Sequence, residues 1–392
     1  MHKLAAVLLG AALSAAIPAL AGISVIPLPE ILTDPNEGNT YGFLPVVLLL
    51  DPQGRIEHII ASDVRYNEIT GVYPAFRLFG YPTIDLKYYL TLRKSQNIDE
   101  DYIGEYEHRN LFGGLVDVLS NVTFFRDSRL RFYGFGNDTD DETETNYTQR
   151  KFSFLLRLAY RFLPEWQIAW QARVEDVGIA DGGVDKLPFT AELFPMTKGL
   201  EGSRIHGERV IFAYDDRDSP TITTRGTYGA GYFELVDEAL GSSTSFVKYG
   251  FEVREFVPLH ERVVLALHGV LDYTGGADRA PFYELNSIGG KKSLRGFGTD
   301  RFVDAHRFFS SVELRTMAFR RELFGVVPEL EVAPFADVGQ VFSDAASVPF
   351  DDLHPVAGVG FRGVVRPQVV GFVDLGFGTD GPAVFTGLDY PF

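Results

Sequence analysis

The sequence predicts an all-β fold: a sixteen-stranded antiparallel transmembrane β-barrel with a long loop folded into the lumen. Three observations lead to this prediction. The chain begins with an export signal, it lacks any apolar run of about 20 residues that would form a membrane-spanning helix, and apolar and polar residues alternate along much of its length. A content of 33 Phe, 18 Tyr and 40 Gly with no Cys is also unusual for a soluble exported protein.

The first residues have the three parts of a secretory signal peptide. Residues 1–3 are a short basic start, residues 4–17 are apolar, and residues 19–21 form an A-x-A cleavage site. We therefore expect a signal peptide at 1–21, a short, Pro-rich and irregular N-terminal segment at 22–40, and an outer-membrane β-barrel at 41–392.

Composition argues against several classes of function. The absence of Cys excludes disulfides and thiolate metal sites. A formal net charge of -17 argues against nucleic acid as a partner, because such binding depends on Lys and Arg that neutralise phosphates. The eight His residues show no metal-ligand spacing, and the acidic run 137–144 is typical of a solvated loop. We expect no metal and no cofactor.

A period of two in hydrophobicity predicts strands that face lipid on one side and a polar lumen on the other. In the stretch "SFVKYGFEVREF", Tyr249 and Phe251 share one face, while Lys248, Glu252 and Arg254 share the opposite face. A soluble β-sandwich also alternates. Strands of about ten to fifteen residues with aromatic residues near their ends favour a membrane barrel.

The strand number and the C-terminus are predicted from the same pattern. Counting back from Phe392 places about twelve strands after residue 115 and four or five within 41–110, and since bacterial barrels have even strand numbers, we expect sixteen. The last strand is predicted to carry Leu388, Tyr390 and Phe392 on one side. This ending resembles the C-terminal assembly signal of outer-membrane barrels, with Tyr390 and Phe392 as its aromatic residues, and indicates integral location in the bacterial outer membrane.

A Gly-rich basic loop interrupts the alternation between Tyr273 and Asp304. Segments of about thirty residues without a strand pattern are usually functional or disordered. Its centre, "GGKKSLRGFGTDRF", contains the loop motif Leu294, Arg295, Gly296 and Phe297. Glycines permit close backbone packing, and an arginine that is removed from bulk water needs a partner.

A candidate partner lies in the stretch "PFADVGQVF". Here the strand period places Phe335, Asp337 and Gly339 on one face, and we call these three residues the strand motif. Inside a lumen, Asp337 would form a charge-assisted pair with Arg295, and Phe335 would offer its ring face to the guanidinium. Without a motif pair, an exposed Arg and an Asp that lines a wet lumen would be the simpler interpretation.

The two motifs resemble those of the bacterial surface antigen superfamily of outer-membrane barrels, the BamA/TamA family. Its members are sixteen-stranded barrels whose sixth extracellular loop carries an (V/I/L)-R-G-(F/Y) tip that folds into the lumen, and whose thirteenth strand carries F-x-D-x-G. The segments 131–138 and 215–229 resemble two further family segments, R-F-x-G-x-G-N and a D-x-R-D turn. The resemblance implies a lock between the loop motif and the strand motif, in a short member that lacks POTRA domains.

The resemblance also implies the function. We expect a barrel, not an enzyme, that assists insertion or translocation of protein or lipid at the outer membrane. Its expected partners are outer-membrane lipid and lipopolysaccharide, the barrel-assembly machinery during biogenesis, and a separate periplasmic partner in place of POTRA domains. Two alternatives stay open: a passive pore, and a membrane phospholipase, which is less favoured because no G-x-S-x-G motif is present. The G-x-G-x-x-G at 358–363 lacks a βαβ context and is interpreted as a strand with small residues.

Overall fold

The computed structural model describes residues 22–34, 36, 38–321, 327–346, 350–366, 369–388, 390 and 392. The expected signal peptide, residues 1–21, lies outside the described residues. The described chain is nearly all β-structure, with helical turns only at Leu111–Gly114, Asp141–Thr143, Thr190–Leu193, Glu238–Leu240 and Phe282–Glu284. In these ranges, no helix has the length and apolar character needed to cross a membrane.

Twenty-one strands lie in the described residues, and nineteen of them form one antiparallel sheet in which each strand pairs with its neighbours along the chain. β15 and β16 form a separate two-stranded hairpin. The strands are β1 (Ile23–Asp34), β2 (Gly38–Leu50), β3 (Ile56–Ala61), β4 (Asp63–Asn67), β5 (Gly71–Thr83), β6 (Leu86–Lys94), β7 (Glu100–Asn110), β8 (Val116–Phe132), β9 (Thr145–Leu163), β10 (Trp166–Asp181), β11 (Ser203–Asp215), β12 (Gly226–Val236), β13 (Phe246–His260), β14 (Val263–Gly275), β15 (Asn286–Ile288), β16 (Phe302–Asp304), β17 (His306–Arg320), β18 (Glu329–Phe342), β19 (His354–Val365), β20 (Val369–Gly378) and β21 (Gly381–Leu388).

The strand count differs from the predicted sixteen, and the difference arises at the N-terminal end. β3 and β4 both pair with β2 and β5, so they are one strand with a break at Ser62. The register places Pro45 of β2 opposite this break, and a proline has no N–H to donate to a ladder. Counted this way, the sheet has eighteen strand positions within the described residues.

The prediction that residues 22–40 are irregular is wrong, because they include β1 and the start of β2. β1 pairs with β2 along its whole length despite Pro27 and Pro29. The N–H of Leu50 donates to the carbonyl of Gly22, so Gly22 and the even-numbered residues of β1 direct their backbone groups towards β2. The odd-numbered residues direct theirs away from β2. Pro27 and Pro29 therefore lie where strands tolerate proline, with the missing N–H on the free edge.

The sheet curves until its first and last strands, β1 and β21, lie beside each other. No backbone pairing between these two strands is present in the residues that the structure describes. Since Pro27 and Pro29 remove two hydrogen-bond donors from the edge that faces β21, this seam has fewer donors than an ordinary pair of strands.

The two faces of the sheet have the polarity that the alternation predicted. On β13, Tyr249 and Phe251 are exposed on the outer face, whereas Lys248 points inward and bonds to the carbonyl of Glu284. On β14, His268 and Asp272 are buried on the inner face. The inner face is thus rich in charged groups, and the outer face presents a belt of aromatic and aliphatic side chains.

The C-terminal residues differ from the predicted last strand. β21 ends at Leu388, and Tyr390 and Phe392 turn inward instead of continuing the outer face. The hydroxyl of Tyr390 donates to Glu331 (2.8 Å), and the ring of Phe392 stacks on His268 with 4.9 Å between centroids. Inward rotation is favoured because the Tyr390 ring lies 4.0 Å from the guanidinium carbon of Arg315.

Candidate functional site

The segment between β14 and β17, residues 276–305, is the candidate site, and we call it the anchored loop. It contains the helical turn Phe282–Glu284 and the hairpin of β15 and β16, which the sequence pattern did not reveal. Its tip is closed by Gly289 and Gly290, which have φ values of 120° and 90°. A Cβ at Gly289 would lie 2.2 Å from the carbonyl oxygen of Gly298, so this turn requires glycine.

Arg295 at the loop tip contacts Asp337 of β18. Its side chain is 1 % exposed, and its Nε and Nη2 donate to the two oxygens of Asp337 at 3.0 and 2.8 Å. The backbone N–H of Arg295 donates to the same carboxylate (3.2 Å). Ser311 of β17 accepts from Nη2 (3.1 Å) and donates to Asp337 (2.6 Å). This is the bidentate geometry that makes arginine–carboxylate pairs strong.

Two further carboxylates surround the same guanidinium. Nη1 of Arg295 donates to Glu313 of β17 (3.3 Å) and to Asp374 of β20 (3.1 Å). Arg362 of β19 donates to Glu313 (2.7 Å) and to Asp374 from the opposite side. Glu313, Asp337 and Asp374 are all 0 % exposed, so without these cations the cluster would hold three desolvated negative charges.

Arg295 stays charged in this environment. Burial alone would lower the pKa of Arg295, but the hydrogen bonds and charge of Asp337, with the charges of Glu313 and Asp374, raise it above its ordinary value. The guanidinium carbon also lies 3.5 Å from the centre of the Phe335 ring, which is close enough for a cation–π contact. Within the described ranges, no group of three or more His, Asp or Glu side chains is arranged to hold a metal ion.

The neighbours of Arg295 in the loop motif are buried in an apolar cluster. Leu294 and Phe297 are fully buried and pack with side chains from the hairpin, β17, β18 and β19; these are Ile288, Phe302, Phe309, Phe335, Val341 and Val356. Leu294 also lies over Gly339, since a Cβ there would come within 3.5 Å of its Cδ2. The two motifs are therefore in contact through Arg295, which meets Phe335 and Asp337, and through Leu294, which lies over Gly339.

Glycines on the wall make room for the loop tip. A Cβ at Gly376 of β20 would lie 1.9 Å from the carbonyl oxygen of Arg295, and one at Gly296 would lie 2.5 Å from the N of Gly378. In the G-x-G-x-x-G segment of β19, a Cβ at Gly358 would meet the ring of Phe335 (2.2 Å), and one at Gly360 would meet Arg362 (2.0 Å). This segment is a strand, as predicted, and its glycines accommodate side chains of the site.

The anchored loop is also held by the opposite wall. Glu284 accepts two hydrogen bonds from Arg173 of β10, at 3.1 and 2.7 Å, and its carbonyl accepts from Lys248 of β13 (2.6 Å). Arg173 also donates to Glu234 of β12 (2.6 Å). The loop is thus fixed by ion pairs to strands β10 to β13 at one end and to β17 to β20 at the other.

Glu284 makes the second anchor sensitive to pH. Burial alone would raise the pKa of Glu284, but the charges of Arg173 and Lys248 and the hydrogen bonds from Arg173 hold it at about 2. Because this value lies below the unfolded pKa of about 4.3, Glu284 stabilises the folded chain fully above that pH, and the contribution is lost as the pH falls towards 2. We expect the Glu284→Gln variant to melt at a lower temperature than the wild type at neutral pH, and the gap between them to narrow below about pH 4. A gap that is constant across this range would contradict the assignment.

The segment 131–138 connects the anchored loop to the far side of the sheet. The N–H of Gly136 donates to the carbonyl of Val303 (2.9 Å). Arg301 in the loop bonds to Thr139 (2.8 Å) and Asp380 (2.7 Å), and Asn137 accepts from the N–H of Val341 (3.0 Å). This family-like segment therefore covers the anchored loop at the end of the sheet that carries the long connections.

The segment 215–229 forms a turn at the other end of the sheet. Arg217 donates to both oxygens of Asp215 at 2.8 Å, and Asp218 accepts from the N–H of Thr224 (2.9 Å). The side chain of Ile222 in this turn is buried against Val364 and Tyr390. These contacts close the turn and direct it towards the inner face.

Several site residues were not predicted from the sequence: Glu284, Arg173, Ser311, Glu313, Arg362 and Asp374. Glu313 on β17 and Arg173 on β10 share their strands with several other charged residues. A usable signal existed only for Asp374, the one acid in the apolar and Gly-rich stretch "VVGFVDLGFG". The others are not distinguished from lumen-lining charges until the register is known.

Comparisons with known proteins agree with this geometry. The model of the Omp85 superfamily domain matches residues 88–361. Among solved structures, BamA from Haemophilus ducreyi lacking POTRA domains 1-3 is similar with a TM-score of 0.55 and 15% identity, covering 93% of this chain and 75% of that chain. CdiB from Escherichia coli is similar with a TM-score of 0.56 and 12% identity, covering 95% of this chain and 63% of that chain. No curated protein has significant sequence similarity to this chain.

The fold is that of a BamA-like protein: a single large antiparallel sheet with almost no helix. This chain belongs to the Omp85 superfamily. The family that the loop and strand motifs predicted is thereby confirmed, whereas identities of 12 and 15% carry over the fold alone. The chain spans less than two thirds of CdiB, so the activities of the two relatives enter only as proposals.

Proposed function

We propose that this chain is an integral outer-membrane barrel that assists the insertion or translocation of polypeptide or lipid, with the anchored loop as a plug in its lumen. Membership of the Omp85 superfamily supports this, since BamA and CdiB have the same fold. The observation that carries the proposal is the burial of Arg295 among Ser311, Glu313, Asp337 and Asp374 on three strands. An interior occupied by an anchored segment suits a gated transporter better than an open channel.

The sixteen-stranded barrel of the family is part of this proposal. From the broken strand β3–β4 to β21 there are sixteen strand positions, with β18 as the thirteenth and the anchored loop between the eleventh and twelfth. We assign these sixteen to the family barrel and the β1–β2 hairpin to an addition at the seam. In this account the outer belt of exposed apolar residues contacts outer-membrane lipid and lipopolysaccharide.

The seam gives a prediction of its own. Replacing Pro27 and Pro29 together with Val restores two N–H donors on the edge that faces β21. We expect the variant to unfold in detergent at a higher temperature than the wild type, because backbone pairing across the seam becomes possible. Replacing Pro45, whose nitrogen faces the break at Ser62, serves as the comparison on the opposite side of the hairpin. An unchanged unfolding temperature in the Pro27/Pro29 variant would argue against this role of the prolines.

We propose two protein partners for this chain in the cell envelope. The barrel-assembly machinery would bind Tyr390 and Phe392 before the barrel folds, since both side chains face inward in the folded protein. A separate periplasmic partner would deliver clients to the barrel. We assign no catalytic role, and a lipid-release assay on the purified protein would detect the phospholipase alternative.

The direct test uses purified protein in lipid vesicles. An unfolded outer-membrane barrel protein is added, and its folded fraction is followed by heat-modifiability on gels. We expect faster folding than with protein-free vesicles, and no acceleration when the anchored loop is cross-linked to β18. Equal rates with and without the protein would contradict an insertion role and leave translocation to be tested with a secreted substrate.

A passive pore is the second candidate, and conductance in planar bilayers separates the two. A lumen that holds the anchored loop predicts small and flickering openings. Steady, solute-permeable openings of the wild type would favour the pore. The Lys292→Ala variant is a suitable control, because Lys292 is exposed on the same loop and is expected to leave the conductance unchanged.

A further inference from the structure

A cavity of about 360 Å³ opens at the end of the sheet that carries the short turns. Its walls come from the turn after β11, the turn between β13 and β14, and the ends of β17 to β19. Four arginines line it, and we call it the arginine cavity: Arg225, Arg262, Arg315 and Arg366. Three acids line the same cavity, Asp218, Glu261 and Glu331, so the arginines exceed the acids by one in a chain whose net charge is -17.

Arg315 at the cavity is buried and short of partners. Its side chain is 3 % exposed, and Nη2 donates to the terminal main-chain oxygen of Phe392 (3.3 Å). Nε lies 3.6 Å from Glu313, beyond hydrogen-bond distance. Among the described residues, neither Nε nor Nη1 has a hydrogen-bond acceptor. Buried donors without acceptors cost free energy, so a bound acceptor at this position would stabilise the site.

The acids around the cavity are largely occupied by other donors. Asp218 accepts from the backbone N–H of Thr224 (2.9 Å) and Arg225 (3.3 Å). Glu331 accepts from the hydroxyl of Tyr390 (2.8 Å). In contrast, the side chains of Arg225 and Arg262 form no ion pair with any residue that the structure describes, although Arg366 pairs with Glu329 (3.0 Å). The buried part of the cavity therefore contains unpaired donors on Arg315, whereas Glu261, the third acid of the lining, is exposed.

The geometry points to a binding site for a phosphate group in the arginine cavity, with Arg315 at its floor and Arg225 and Arg262 at its rim. A phosphate presents several oxygens and can accept from several guanidinium forks at once, whereas a carboxylate has only two oxygens. The volume corresponds to roughly a dozen water molecules at about 30 Å³ each, which exceeds the need of a lone inorganic ion. The site therefore accommodates a phosphate together with part of the group that carries it.

The test measures binding of pyrophosphate to the full chain in a zwitterionic detergent by isothermal titration calorimetry. We expect saturable binding that weakens about tenfold in each of the Arg225→Gln and Arg262→Gln variants, as expected for loss of one charge-assisted contact. Both residues are exposed and outside the anchored-loop cluster, so folding should be retained. The matched control is Arg150→Gln, which removes one exposed positive charge from β9 outside the cavity. Binding that is absent, or equally weakened by all three variants, would overturn the proposal.

Competition identifies the source of the phosphate. Vesicles of phosphatidylcholine with and without phosphatidylglycerol are added to the protein before titration. Loss of pyrophosphate binding only with phosphatidylglycerol would assign the site to an anionic lipid headgroup, and unchanged binding would assign it to a soluble phosphorylated compound. The Arg315→Gln variant is expected to abolish binding, and the two rim variants keep the test decisive if that variant fails to fold. The outcome is independent of client insertion, so it separates this site from the proposed function.

Discussion

Replacing Arg295 with alanine is expected to weaken the attachment of the anchored loop to β18, which Leu294 and Phe297 still hold near the strand, and to destabilise the folded protein by about 3 to 5 kcal/mol, the usual effect of removing one partner of a buried ion pair. The variant leaves Asp337, Glu313 and Asp374 with only Arg362 and the more distant Arg315 as counter-charges. We expect a lower temperature for heat unfolding on gels and larger, steadier conductance in planar bilayers.

Two variants separate the charge of Arg295 from its shape. Arg295→Lys keeps the positive charge but loses the planar fork that bonds both oxygens of Asp337, so we expect an intermediate loss of stability. Lys292→Ala removes an exposed charge from the same loop and should behave as the wild type. If Arg295→Ala unfolded and conducted like Lys292→Ala, the ion-pair cluster would not hold the loop.

Replacing Gly376 with alanine is expected to displace the loop tip without changing any charge. The added Cβ would lie 1.9 Å from the carbonyl oxygen of Arg295, and 2.5 Å from its carbonyl carbon, so the main chain of the tip has to move. Such overpacking typically costs about 1 to 3 kcal/mol, and more where backbone is the obstacle. We expect the Gly376→Ala variant to unfold at a lower temperature than the wild type. Its anchored loop should be about as accessible to protease as the loop of the Arg295→Ala variant.

The matched control lies on the same strand. A Cβ at Gly371 of β20 meets nothing within 4 Å, so Gly371→Ala should leave stability and loop accessibility unchanged. Equal behaviour of the Gly376 and Gly371 variants would mean that the loop tip does not pack against β20 as described.

Much of the fold follows from the period-two alternation, because lipid and lumen impose opposite demands on successive residues. The prediction of about twelve strands after residue 115 agrees with β8 to β14 and β17 to β21. The N-terminal end was harder to predict, because the prolines in "VIPLPEILTD" indicate an irregular segment. In an edge strand they are tolerated, and edge position is a property of the whole sheet that a local pattern does not contain.

The site was predicted only as far as its motifs reach. The loop motif and the strand motif identified Arg295 and Asp337, which lie 42 residues apart and are in contact. Glu313, Arg362 and Asp374 complete the cluster, but they are single inward-facing charges on three different strands. Their convergence depends on the register of β17 to β20, which fixes which charges are neighbours. The sequence predicted Tyr390 and Phe392 within the last strand, whereas they lie beyond the end of β21, and their contacts with Arg315 and His268 are equally non-local.

The most direct test of the anchored loop is a cross-link between cysteines at positions 295 and 337 in this cysteine-free chain. The backbone nitrogen of Arg295 lies 3.2 Å from the Asp337 carboxylate, so a short bifunctional thiosulfonate should join the two positions in outer-membrane fractions. The control pairs position 295 with position 336, an exposed neighbour on the opposite face of β18. We predict an efficient cross-link for 295 with 337 and none for 295 with 336. Equal yields for both pairs, or none with 337 in a barrel that is shown to be folded, would contradict a loop held inside the sheet.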